Sequence, residues 1–152
     1  MKTLVGRASF AVALSVAVTM SALAQQTGDA QSLSYEFEQR LIEVTEAVRT
    51  GDASVLDLMV PRDFLFTRSR DGFVFEAPRR TWLRFNTKLR SYDYEHVRAR
   101  QLNGTTVVTS IYMEQMDVPD TPARYLVTDV WVRDGPVWVL VSRSQAALGE
   151  FR

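Results

Sequence analysis

The chain has 152 residues, 46% of them hydrophobic and 24% charged, with 18 basic and 18 acidic side chains and no cysteine. This is the composition of one ordinary globular domain and excludes a disordered or fibrous chain. The lack of cysteine excludes thiol nucleophiles, thiolate metal sites, disulfides and a lipoprotein anchor, and the balanced charge gives no global pull toward nucleic acid or an anionic membrane.

The N-terminus reads as a targeting segment. Lys2 and Arg7 form a basic lead, Ala8 to Val18 is an apolar run, and Ala22-Leu23-Ala24 is a small-x-small site. The pattern predicts a secretory signal peptide over 1–24, cleaved after Ala24, and therefore a periplasmic or secreted protein with no membrane attachment after cleavage. A retained anchor is the rival reading, but the apolar run is shorter than the ~20 residues a spanning helix needs. Removing the 24 residues leaves 128, with Lys2 and Arg7 lost, so 16 basic side chains face 18 acidic and the net charge is near −2. A domain of that size buries roughly two thirds of its unfolded surface and needs no covalent staple.

The remaining chain divides into a polar, flexible lead-in over 25–32 and a single domain over 33–148. In the first helix Leu33, Phe37, Leu41, Val44 and Val48 recur at steps of four and three and form one apolar stripe. Ser34 is its expected N-cap and Gly51 its C-terminal stop. Asp52 caps a second, short helix ending near Met59, before Val60-Pro61. Asp63 to Thr67 is a short strand, Asp71-Gly72 a turn, and Phe73 to Phe75 a possible return strand. Pro78 opens a third helix with Trp82, Phe85 and Leu89 on one stripe and Arg79, Arg80, Arg84 and Lys88 on the other.

Four long strands follow: Tyr92 to Leu102, Thr105 to Met116, Arg124 to Arg133 and Val137 to Ser144. Asn103-Gly104 and Asp134-Gly135 are hairpin turns. A half-exposed sheet alternates apolar with polar residues, yet these strands are apolar on both sides. Leu126, Val130 and Val132 oppose Tyr125, Val127 and Trp131; Val107, Ile111 and Met113 oppose Val108, Tyr112 and Met116; Val139 and Val141 oppose Trp138 and Leu140. Helices cover one side. A second copy, making a homodimer through the sheet, is the economical cover for the other. Strong curvature of the sheet over itself is the alternative.

The order of elements resembles the nuclear-transport-factor-2-like superfamily, also called SnoaL-like or ketosteroid-isomerase-like. Asp63-Phe64, Arg80-Thr81-Trp82-Leu83, and the run Thr128-Asp129-Val130-Trp131-Val132-Arg133-Asp134-Gly135 followed by Trp138 are similar to the branch known as domain of unknown function 4440. The resemblance implies an α+β fold, a cone-like curved antiparallel or mixed sheet wrapped on three N-terminal helices, with a pocket between them and frequent dimerisation through the sheet. Members often carry a histidine near the end of the last strand; here the segment reads Val141-Ser142-Arg143-Ser144-Gln145. The tyrosine and acid of the isomerases find no residue-by-residue match, so their activity is not carried over.

The candidate residues follow. Asp63, at the rim implied by the resemblance, and Asp129, in mid-strand, are candidate catalytic carboxylates, since an acid in an apolar pocket can serve as a general base. The competing reading makes Asp63 a turn residue and Asp129 half of an ion pair, with Arg143 or Arg84 as partner. Trp82, Tyr112 and Trp131 are candidate linings of a ligand pocket, or simply core. His96 is the single histidine, and no metal-ligand spacing exists, so neither a metal nor a cofactor is expected. Three functions result: an exported small-molecule-binding domain, a cofactor-free isomerase or dehydratase using a pocket Asp, or a dimeric interaction domain without ligand.

Overall fold

The computed structural model describes residues 10–117 and 123–148. Elements run α1 (Phe10–Thr50), α2 (Ala53–Met59), β1 (Leu65–Arg70), β2 (Phe73–Pro78), α3 (Arg79–Asn86), β3 (Leu89–Leu102), β4 (Thr105–Met116), β5 (Ala123–Asp134) and β6 (Val137–Ala147). The six strands form one mixed sheet in the order β2-β1-β6-β5-β4-β3. All neighbours are antiparallel except β1 and β6. The sheet curls without closing, and the helices fill its hollow side. This is the α+β cone the sequence implies.

Local chemistry explains most of the boundaries. Gly51, at φ 73°, ends α1 in the left-handed region. The Asp52 carboxylate accepts from the backbone N–H groups of Ser54 and Val55 and caps α2. Asn103 at 47° and Gly104 at 82° take the two positive-φ positions of a tight hairpin. The apolar stripe of α1 is buried: Phe37, Leu41, Val44 and Val48 have no more than 2% of their surface exposed.

Four expectations need correction. The helix does not start at Ser34: α1 begins at Phe10 and its backbone stays helical through 25–32. Ser34 donates back to the Ala30 carbonyl and accepts from the Ala99 N–H, pinning the helix to β3 rather than capping it. Residues 1–9 of the expected signal peptide lie outside the described residues, and no described helix is long and apolar enough to cross a membrane. The first strand starts later than Asp63, at Leu65. Pro78 precedes α3 as its N-cap and does not open it. α3 is also shorter than its stripe: Asn86 and Thr87 turn back onto the Trp82 and Arg84 carbonyls, so Leu89 opens β3 and Phe85 is half exposed against Phe75.

The two-sidedness of the strands is as expected. Val108, Tyr112, Tyr125, Val127, Trp131, Trp138 and Leu140 face the helices and are buried. Val107, Ile111, Met113, Val130, Val132, Val139 and Val141 are half-buried on the outer side, where no described element lies, and Leu126 is exposed there. Two irregularities bend the sheet, one in β3 between Glu95 and Arg98, the other where β6 gains Val141 opposite Val130 and Trp131.

Candidate functional site

The hollow face carries polar groups among its aromatics. Arg143 on β6 donates to both oxygens of Asp129 on β5, through Nε at 2.7 Å and Nη2 at 3.1 Å. The two residues are register partners, which sets this forked geometry. Arg143 Nη2 also donates to the Tyr94 hydroxyl at 3.2 Å, and that oxygen lies 2.7 Å from Thr45 Oγ1 on α1. The guanidinium sits 5.9 Å from the ring centres of both Trp82 and Tyr112. All six residues are buried.

Burial pushes the Asp129 carboxyl up, against the pull of Arg143's charge and hydrogen bonds. Burial alone would lower Arg143, but the charge and hydrogen bonds of Asp129 together with the neighbouring Tyr94 and Tyr112 outweigh it and hold the guanidinium charged above its ordinary range. Burial likewise raises the hydroxyls of Tyr94 and Tyr112.

A second group sits nearer the strand ends. Arg68 on β1 donates from Nε to Gln145 Oε1 at 2.9 Å and from Nη2 to Glu114 at 3.1 Å, and lies 4.5 Å from the Tyr125 ring centre. Glu114 and Gln145 are buried, while the Arg68 side chain is about a third exposed. Four buried polar atoms, Arg79 Nε on α3 and Thr106 Oγ1, Ser110 Oγ and Trp131 Nε1 on the sheet, have no hydrogen-bond partner among the described residues.

The candidate residues are thus distributed, not gathered. Asp129 is fully buried and both its oxygens are engaged by Arg143. A carboxylate so held is poorly placed to take a proton from a substrate. Asp63 is exposed in the turn before β1, so the two acids share no cavity. Trp82 and Tyr112 flank Arg143, whereas Trp131, the next inward residue on β5 after Asp129, packs edge-on against Phe37. Two open clefts mark the surface. One, of about 440 Å³, lies along Arg80, Thr81 and Arg84; the other, of about 230 Å³, lies on the outer sheet face over Leu126, Thr128 and Ser144. Neither is lined by Trp82, Tyr112 or Trp131. His96 is exposed on the edge strand β3. Among the described residues no three potential metal ligands of the His, Cys, Asp and Glu type come together. Sequence reasoning left open whether Arg143 or Arg84 pairs with Asp129, and it missed Arg68, Glu114 and Gln145; their only signal was polar residues at inward positions of β1, β4 and β6.

Solved structures match the whole cone. An NTF2-like protein from Cytophaga hutchinsonii superposes with a TM-score of 0.56 at 18% identity, over 73% of this chain and 98% of its own. The fold is NTF2-like. An NTF2-like protein of unknown function in nutrient uptake from Rhodospirillum rubrum gives 0.55 at 22% identity, covering 75% of this chain and 98% of that one. The CaMKII hub of S. rosetta gives 0.59 at 20% identity, covering 78% and 96%. No protein-family model and no curated protein matches the sequence. The likeness shown is to the NTF2-like fold, which is compatible with the narrower 4440 branch and does not single it out.

Proposed function

We propose that this protein is an exported association domain that pairs with a second copy through the outer face of its sheet. One observation carries the reading. Val107, Ile111, Met113, Leu126, Val130, Val132, Val139 and Val141 make the outer face of β4, β5 and β6 largely apolar, and no described element covers it, while the hollow face is packed and its charges are paired. Uncovered apolar surface of this extent marks an interface. The outer face of all six strands, ~4.8 Å apart and about ten residues long, is on the order of 900 Å², room for the ~800 Å² per partner of a stable complex, with the apolar residues concentrated on β4, β5 and β6. The hub-type neighbour with the same fold agrees with an associating role.

Sedimentation tests it. The chain is expected to run as a dimer at tens of micromolar, and Val130→Lys to make it a folded monomer that has lost only the stability association adds. A wild-type monomer overturns the proposal. Export rests on Lys2, Arg7, the Ala8–Val18 run and Ala22-Leu23-Ala24; N-terminal sequencing of the exported protein should begin at Gln25, and a retained Met1 would count against it.

A second reading, binding of a small polar molecule inside the cone, is favoured by the unpartnered Thr106, Ser110 and Trp131 atoms. Buried polar atoms are normally satisfied, if not by protein then by water or ligand. Native mass spectrometry of protein taken from its export compartment decides it: a co-purifying mass supports a ligand, and the bare chain argues against one.

A further inference from the structure

The outer face is not uniformly apolar. The strand registers align Thr67 with Ser144, Ser144 with Thr128, and Thr128 with Thr109. These four hydroxyl residues make a straight row across β1, β6, β5 and β4. The row continues to Glu76 on β2 at one end and to Arg98 on β3 at the other, so it spans all six strands. The parallel rows on either side carry one hydroxyl each among apolar residues, Ser69 beside Ala146, Leu126 and Ile111 on one side and Ser142 between Leu65, Val130 and Val107 on the other. Among the described residues none of the four hydroxyls takes part in a side-chain hydrogen bond, and neither Glu76 nor Arg98 belongs to an ion pair.

We infer that this row sets the geometry of the homodimer: the two-fold axis runs parallel to the strands, between β5 and β6, and lays the row of one copy over that of the other in reverse. The inference rests on the proposed pairing through the outer face. Burying four hydroxyls against Leu126, Ile111, Val130 and Val107 would leave them without partners, at a penalty for each. Row over row lets them bond to one another, so a shift of one row along the strands is disfavoured. Two orientations keep the rows in register. An axis along the row sets Glu76 against Glu76 and Arg98 against Arg98. An axis along the strands sets Glu76 toward Arg98 at both ends. Like charges facing across an interface repel and opposite charges attract, even from somewhat beyond contact. The second orientation is therefore selected, and it sets Thr67 of each copy opposite Thr109 of the other.

The absence of cysteine makes a clean test. Full-length Thr67→Cys and Thr109→Cys chains, co-expressed with different tags, are treated with a short bis-maleimide. Cross-linking is expected between the two variants and not within either alone. Cross-linking within Thr67→Cys alone overturns the orientation in favour of an axis along the row. No cross-link in any combination, in a chain that sediments as a dimer, overturns the row while leaving the dimer standing; a wild-type monomer removes both. Charge reversal gives a second reading: Glu76→Lys or Arg98→Glu alone should weaken the dimer about three- to tenfold at low salt, as expected for exposed pairs. Co-expressing the two should restore it, and failure of that rescue counts against the reversed row.

Discussion

The two faces of this sheet bury different chemistry and should fail in different ways. The hollow face holds two carboxylates, two arginines and tyrosines, joined by specific hydrogen bonds that cross from β6 to β5, from β6 to β3, from β3 to α1 and from β1 to β4 and β6. The outer face holds β-branched and other apolar residues around one hydroxyl row. Groups on the hollow face are committed to one another, so removing one strands its partner. On the outer face Arg124 and Glu95 form an exposed pair, but the apolar residues and the hydroxyl row form no side-chain bond within the described chain, so changing one of them leaves the monomer intact and alters what it meets.

The largest effect should come from the Asp129–Arg143 pair. Removing one member of a buried pair leaves an uncompensated charge, at about 3–5 kcal/mol. Asp129→Asn and Arg143→Met should each lose that much in urea denaturation. Asp129→Leu combined with Arg143→Met should recover much of it, because no charge then remains buried. A loss under about 1 kcal/mol for either single change would mean the pair is hydrated and not buried. Trp131→Ala, with its ring against Phe37 and no exposed surface, should cost on the order of 3–5 kcal/mol. Val130→Lys, its neighbour on the outer face, should leave stability within about 0.5 kcal/mol in the monomer. Equal losses at 130 and 131 would erase the contrast between the faces.

Alkaline pH acts on the hollow face alone. Burial raises the hydroxyls of Tyr94, Tyr112 and Tyr125 above their ordinary value of 10.0. In the unfolded chain they ionise near that value; in the folded chain they do so later. Their contribution is therefore complete below pH 10 and lost as pH rises toward the folded values. Thermal melts should be flat up to about pH 9 and fall steeply beyond pH 10. Tyr112→Phe should soften that fall; an unchanged slope would place the alkaline sensitivity elsewhere.

The strands were largely legible in the chain because they are apolar, β-branched and aromatic runs closed by Asn103-Gly104 and Asp134-Gly135, and the order of elements then carried the resemblance that implies the cone. The outer face was legible because alternation fixes which residues share a side. The interior was less so. Asp129 and Arg143 are fourteen positions apart and meet only because the β5–β6 hairpin aligns them, whereas Arg68 reaches Glu114 through the parallel pairing of β1 with β6, which no local signal announces. The boundaries of α3 were misread because Leu89 continues the helical spacing, although side-chain bonds from Asn86 and Thr87 have already ended the helix. Asp63 looked chemical only through its supposed place on a pocket rim.

The smallest expected effect concerns the edges, and it reverses the usual sign. β2 exposes Phe73, Val74 and Phe75. β3, the opposite edge, carries Arg90, Asp93, Glu95, Arg98 and Arg100, and breaks its register at Glu95–Arg98. Charges and a bulge are how an edge strand avoids pairing with another chain. Within that bulge His96 has φ 54°, a left-handed conformation in which an L side chain crowds its own carbonyl at about 1–2 kcal/mol. Glycine adopts it freely but loses more backbone entropy on folding, roughly 0.5–1 kcal/mol. The difference favours glycine, so His96→Gly should stabilise the domain by about 0.5–1 kcal/mol. His96→Val, β-branched and worst suited to positive φ, should destabilise it. If valine were tolerated as well as glycine, the bulge would relax when its residue changes, and β3 would then be an edge open to pairing, as β2 is.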